Sequence, residues 1–347
     1  MGIEVSDHRS TPSEAGFAMP AEWERHDGCL MAWPTRRELW GEQLSAAKTD
    51  YATVASAVAA FEPVTMVCNP ADVSEVRDRC GSAIEALALP IDDSWMRDNG
   101  PAFVRNSAGD VAVVNFEFNA WGERWHPFHQ DDAVPRAIAS HFGMRRFDAP
   151  LVMEGGAFFV DGEGTLITTE QCLLDPNRNP HLSREQIEQL LRDYLGIRTV
   201  IWLKYGHSLD VGPAGTDPHI DGVLQYVGPG RVLLEAPSDP SDAEYQRSQE
   251  NLSVLHAARD ATGRSLEVSL LDPGATGDFS YSNFYLANGG VIVPVAQAES
   301  DDSSLEMIAK LFPEREVVGV PGRTLALGGG GPHCITQQLP SGTPATP

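Results

Sequence analysis

Near the end of the 347-residue chain, Leu327-Gly328-Gly329-Gly330-Gly331-Pro332-His333-Cys334 sets a cysteine at the exit of four consecutive glycines. A backbone stripped of side chains lets another group come close, so Cys334 stands where a thiol nucleophile could work. A glycine-rich turn leading to a buried, inert cysteine is the plainer reading of that segment alone. Three other segments hold what such a thiol would need. Asp92-Asp93-Ser94-Trp95-Met96-Arg97-Asp98-Asn99-Gly100-Pro101 crowds charges around a tryptophan. Asp98 is the carboxylate best suited to grip a cationic group, with Trp95 as an aromatic wall; an Arg97–carboxylate pair and an Asn-Gly-Pro turn would account for the same residues structurally. Met153-Glu154-Gly155-Gly156 places a charge between an apolar run and two glycines, which calls for a partner or a solvated hairpin corner. Thr216-Asp217-Pro218-His219-Ile220-Asp221-Gly222 is expected to open a strand running to Tyr226, in which His219 and Asp221, two residues apart, project from one face.

A His-x-Asp pair could begin a metal site, but no convincing third His or Cys completes it, and Trp125-His126-Pro127-Phe128-His129 reads as an aromatic surface loop. The pair is therefore poor evidence for a metal site. A thiol and an imidazole alone would suit a cysteine protease; the accompanying carboxylates point instead to a cationic substrate. A guanidinium is planar and carries N–H donors that carboxylates bind in pairs. Its carbon is a poor electrophile, because charge is shared over three nitrogens. Holding it between aspartates beside a thiolate addresses orientation and desolvation together.

These residues must be positioned by short strands alternating with helices. The clearest helix spans 183–195, where Ser183 and Gln186 form a capping box, Ile187, Leu190, Leu191, Tyr194 and Leu195 trace one face, and Gly196 supplies the stop. Similar amphipathic segments occur near 45–61, 71–80, 132–142, 243–260 and 302–312, separated by β-branched runs such as 111–114 and 291–293. Their centres recur at intervals of about 50–60 residues, which suggests repeated strand–helix modules around an axis. The competing arrangement is an open α/β sheet with crossover helices. No G-x-G-x-x-G follows an early strand, and the glycines at 328–331 do not lead into Gly-Lys-Ser/Thr, so a phosphate loop is excluded.

With 42% hydrophobic residues the chain can bury a substantial core without disulfides. A formal charge of −24 repels polyanions, so no nucleic-acid or membrane partner is expected, and a small cation is favoured. Five scattered cysteines, Cys29, Cys68, Cys80, Cys172 and Cys334, fit reduced thiols. No apolar run reaches membrane-span length and the acidic N-terminus lacks signal-peptide character, so a cytoplasmic location is expected. Residues 1–18 and 341–347 are polar or Pro/Gly-rich and are expected to be flexible, leaving 19–340 as a single domain.

The segments together resemble the agmatine deiminase and bacterial-type peptidylarginine deiminase family, within the guanidino-group-modifying superfamily. The resemblance runs from Met19-Pro20-Ala21-Glu22-Trp23-Glu24 to Gln337-Gln338. It rests on Trp-x-Arg-Asp-x-Gly-Pro at 95–101, Glu-Gly-Gly at 154–156, Thr-Asp-x-His-x-Asp at 216–221, the stretch Thr168 to Pro180, and Ala287-Asn288-Gly289-Gly290. It implies an α/β fold, the five-bladed α/β propeller (pentein) with pseudo-fivefold symmetry, housing a single deiminase domain over 19–340. It also implies that Cys334 attacks the guanidinium carbon and that His219 acts as general acid and base. Asp98 and Asp221 would hold the guanidinium nitrogens, and Glu154 would orient His219 or keep it protonated. Trp95 and Asn288 are the further substrate-binding positions it implies, and no cofactor is required. The implied reaction converts agmatine to N-carbamoylputrescine and ammonia, and a homo-oligomer is left open. Alternatives are a deiminase or amidinotransferase acting on another guanidino compound, such as arginine, peptidyl-arginine or a specialised metabolite, and a propeller that has lost catalysis and serves as a scaffold. Two features depart from the family pattern: Pro218 replaces a glycine and removes a backbone donor beside His219, and 206–215 lacks an acidic run. This loop is where a change of substrate would be read.

Overall fold

The computed structural model describes residues 10–211, 215–274 and 279–346. They form a mixed α/β structure with five separate sheets, each with the same local plan. Two antiparallel strands are followed by a helix that crosses back to lay a third strand parallel to the second. Phe158–Val160 and Thr165–Thr169 pair antiparallel, and Arg184–Leu195 then returns the chain to Thr199–Leu203, parallel to Thr165–Thr169. Leu224–Gly228 and Arg231–Glu235 do the same with Tyr245–Ala257 and Glu267–Leu271. So do Tyr285–Ala287 and Gly290–Val295 with Asp301–Leu311 and Glu316–Pro321. Ala102–Asn106 and Asp110–Glu117 use His129–Phe142 to reach Arg146–Val152.

The fifth unit is assembled from both ends of the chain. Thr336–Pro340 pairs antiparallel with His26–Ala32, and the helices Leu44–Ala59 and Val73–Cys80 carry the chain on to the parallel strands Val64–Cys68 and Ile84–Ala88. The module spacing expected from the amphipathic segments is thus present as a repeated topology.

Local chemistry explains the elements. Ser183 accepts from the Gln186 amide while the Gln186 side chain accepts from the Ser183 amide, and Gly196 takes the left-handed conformation that ends the helix. The middle strand of a unit is covered on both faces and accordingly loses the polar alternation: all of Thr165–Thr169 is buried.

Two expectations need correction. The strand expected to start at Thr216 begins at Leu224. Asp217 adopts φ 55° and Pro218 has no amide to donate to a ladder, so His219 and Asp221 lie in an irregular turn. The outer stretches are also held in part: Phe17–Ala18 pairs with Ala102–Asn106, and Thr343–Pro344 pairs with Asp110–Glu117. Residues 1–9 and 347 lie outside the described residues, as does part of the loop expected to distinguish this chain, 212–214. No helix among the described residues is long and apolar enough to cross a membrane. All five cysteines are unpaired and buried.

Candidate active site

The turns between strands converge on a cavity of about 280 Å³. Cys334 reaches it from the turn before Thr336–Pro340, Asp98 from the one-turn helix Met96–Asn99, and His219 and Asp221 from the turn before Leu224–Gly228. Trp95, Trp121 and Trp125 add aromatic walls, and Trp95 is itself stacked on Trp40 at 5.9 Å.

The glycines are required by what surrounds them. A Cβ at Gly330 would lie 2.6 Å from the Trp95 ring and 3.0 Å from Cys334 Sγ, and one at Gly331 would lie 2.6 Å from Asn283 Oδ1. At Gly328 the obstacle is the Trp40 ring, 2.2 Å away. Gly156 is the second such point: a Cβ there would meet His219 Nδ1 at 2.7 Å, Asp98 Oδ1 at 2.8 Å and Asp221 Oδ2 at 3.0 Å. Three of the candidate side chains therefore crowd around one bare backbone position.

Around the sulfur, Asp221 Oδ2 accepts from the Cys334 thiol at 3.2 Å, and Asn283 Nδ2 lies 3.1 Å from the same sulfur. Asn283 Oδ1 also receives the His333 amide at 3.1 Å, which pins the turn carrying Cys334. Burial, then Asp221, then Asp98 push the thiol well above its ordinary value, so the protein's own charges hold it protonated.

The two aspartates are tuned in opposite directions. Burial pushes Asp98 up to about 6, with Asp221 and Glu154 adding to the rise and His219 opposing it. Its oxygens accept from Trp121 Nε1 and from the Gly156 amide, both at 3.0 Å. Asp221 is also buried, but His333 and His219 outweigh that cost and lower its pKa. His333 Nδ1 lies 2.9 Å from Asp221 Oδ2, while its Nε2 lies 3.1 Å from Glu22 Oε1. An imidazole held between two carboxylates can donate to both only as the cation, and its pKa is raised despite burial and the nearby Arg97. Glu22 also binds Arg97 Nη1 at 3.0 Å, and this pairing holds Glu22 at about 2 against the effect of its burial.

His219 Nδ1 is 3.9 Å from Asp98 Oδ1 and its Nε2 is 3.7 Å from Glu154 Oε2. Burial disfavours its charge, yet Asp98, Cys172 and Glu154 together carry its pKa well above the ordinary histidine value. Glu154 does not line the cavity. It lies behind His219 with Oε1 bound to Arg178 Nε at 2.7 Å, and Arg178 foremost, with His219, holds it at about 2 although burial alone would raise it. Glu154, Cys172 and His219 place ligand-type atoms within 4.8 Å of one another. The buried Arg178 already neutralises that carboxylate, so the donor set does not suit a metal cation.

Asn288, expected to bind substrate, does not reach the cavity. Its side chain clasps the backbone of His26, accepting from the amide at 3.0 Å and donating to the carbonyl at 2.8 Å, while its amide binds Glu62 at 2.7 Å. It ties the strand after Tyr285 to the first long strand, and the asparagine that faces the site is Asn283. Asp92 and Asp93 are structural as well: Asp92 accepts from the Gln130 amide and Asp93 pairs with Arg36. Sequence reasoning did not single out Asn283, His333, Glu22 or Arg178. His333 had a usable signal, its place beside Cys334.

The Porphyromonas-type peptidyl-arginine deiminase family model matches residues 18–340, and the chain belongs to that family. It is 42% identical over 368 residues to an agmatine deiminase of Pseudomonas aeruginosa, covering 97% of this chain and 99% of that one. It is 41% identical over 363 residues to an agmatine deiminase of Ectopseudomonas mendocina, covering 96% and 98%. The solved agmatine deiminase of Enterococcus faecalis superposes with a TM-score of 0.91 at 35% identity, covering 96% of this chain and 98% of its own.

Proposed function

We propose that the chain hydrolyses agmatine to N-carbamoylputrescine and ammonia, with Cys334 as the covalent nucleophile. The observation that carries this reading is the meeting of Cys334, Asp98, His219 and Asp221 in one cavity with aromatic walls. Agmatine as the particular guanidine rests on the relatives that carry that activity in their names.

In this reading the guanidinium lies between Asp98 and Asp221, and its positive charge offsets the carboxylates that otherwise keep the thiol protonated. As the guanidinium binds, the Cys334 thiol releases its proton to solvent, and the thiolate forms a bond to the guanidinium carbon. His219, protonated by its carboxylate surroundings, gives a proton to one terminal nitrogen, and the carbon–nitrogen bond breaks to release ammonia. The resulting S-alkylthiouronium is attacked by water, which gives its proton to the now neutral His219. The carbon–sulfur bond then breaks and the second proton of that water passes to solvent, leaving the ureido product, the charged His219 and the free thiolate. Glu154, fixed by Arg178, stabilises the charged His219 from behind. The five sheets of common topology are read as the blades of a propeller whose centre is this cavity.

The test follows ammonia and ureido product from agmatine, arginine, a peptidyl-arginine and other guanidines. Agmatine is expected to be the preferred substrate and Cys334→Ser to remove turnover without unfolding the chain. Release of no ammonia from any guanidine, or full activity in Cys334→Ser, refutes the assignment.

A further inference from the structure

A second cavity, of about 240 Å³, lies beside the catalytic one, and the two share His207, Leu209, Gly222 and Phe279 as lining residues. Its walls are apolar at Val223 and Pro237 and acidic at Glu235, Asp242 and Glu244. Glu244 is matched by Arg247 at 3.3 Å, and that arginine is further committed to Gln171 and the Gly206 carbonyl. Glu235 has no such match. It is only 8% exposed, one of its oxygens accepts from Ser280 Oγ at 2.8 Å and from the Ser282 amide, and among the described residues no Lys, Arg or His forms an ion pair with it. Burial outweighs these hydrogen bonds and pushes its pKa up to about 7. A carboxylate buried without a cation is costly unless a cation is brought to it.

The two cavities adjoin across their shared residues. Ser280 lines the catalytic cavity and donates to Glu235, which lines the second. Gly222, next to Asp221, has no side chain to close the seam. A Cβ there would meet only His207 Cβ at 3.6 Å and Asp210 Oδ2 at 3.8 Å, ordinary contact distances. Asp210, on the catalytic side of that seam, likewise forms no ion pair among the described residues.

We propose that the second cavity is a subsite for the ammonium end of a long aminoalkylguanidine, whose guanidinium lies at Asp98 and Asp221 and whose chain passes Gly222 to set a primary amine against Glu235. This extends the deiminase reading and rests on it: guanidines longer than agmatine and ending in an amine are accepted, and Glu235 reads that amine.

Equilibrium binding to the full-length Cys334→Ser protein tests it, with aminoalkylguanidines from agmatine's four methylenes up to about eight. Each is paired with the alkylguanidine of equal length that lacks the amine. The advantage of the amine is expected to grow beyond four methylenes to roughly tenfold and to collapse when Glu235→Gln is added. Gln keeps the acceptor for Ser280, and an unchanged Tm verifies the fold. Gly222→Ala, which the space tolerates, is expected to shrink the amine's advantage at the longer lengths. An advantage already greatest at four methylenes, or one that Glu235→Gln leaves intact, overturns the subsite. If guanidines are turned over but length is immaterial, only the subsite falls. If no guanidine binds, the deiminase reading falls with it.

Discussion

Two aspartates of identical chemistry are given different states by their neighbours, and the difference is measurable. Asp221 has His333 and the thiol on one oxygen, whereas Asp98 has only neutral donors and a distant His219. Burial accordingly raises Asp98 to about 6, whereas Asp221, despite its burial, is lowered below its ordinary value by His333 and His219. Each forms charge-assisted hydrogen bonds of about 2–3 kcal/mol in the proposed complex, so Asp98→Asn and Asp221→Asn are each expected to lower kcat/KM on the order of a hundredfold. Asp221→Asn should lose more, and some Tm as well, because it strands His333. As pH falls through about 6, Asp98 takes up a proton and ceases to attract a cation, so kcat/KM should decline on its acid side there. Flat kcat/KM between pH 5 and 7 would remove Asp98 from the clamp. Cys334, His219, Asp98 and Asp221 were legible in the sequence because reactive side chains stood among glycines. Glu22 was not: its partner His333 is 311 positions away, a pairing no local pattern encodes. Asn288 misled for a related reason, since an asparagine before two glycines looks equally apt for a site or for a strand-to-strand clasp.

At the scale of elements, the bare backbone positions are the most sensitive. Gly156→Ala would force His219, Asp98 and Asp221 apart at once, whereas Gly329, with nothing within 4 Å, is limited only by its φ of 100°. Gly156→Ala is accordingly expected to reduce kcat by at least a hundredfold, and far more than it changes helical content; near-normal turnover would show that the three side chains have slack the structure does not suggest. The helix Arg184–Leu195 offers a contrast. Ser183→Ala deletes one half of the capping box and should cost about 1 kcal/mol of stability with kcat/KM unchanged, as followed by urea denaturation. That helix was legible to the residue, since cap, apolar face and stop are all local signals. The turn at 216–223 was not, because alternation of side chains predicts a strand while Asp217 at positive φ and Pro218 without an amide forbid one.

For the whole molecule, buried carboxylates pull stability in two directions. Burial foremost raises Asp93 and Asp98 to about 6 and Glu235 to about 7, so the folded chain binds protons there that the unfolded chain, near 4, does not. Stability should rise as pH falls from 8 towards 5. Glu22 and Glu154 have the opposite sign: held at about 2 by their cations despite burial, each contributes roughly 3 kcal/mol above the unfolded value of 4.5, lost as pH falls from there towards 2. A Tm maximum near pH 5 is expected by scanning fluorimetry, and a Tm that climbs steadily to pH 8 would contradict the balance. The repeated module spacing foretold much of this architecture, but not that its last unit joins Thr336–Pro340 to His26–Ala32. That closure has a bearing on biosynthesis. As the chain leaves the ribosome, Asp98, Glu154, His219 and Asp221 emerge ahead of Cys334, and the sheet that seats the thiol waits for Thr336–Pro340. A translation product stopped before Cys334 therefore carries the carboxylates and imidazole without the thiol that the proposed chemistry needs, and the set is complete only with the closing strand.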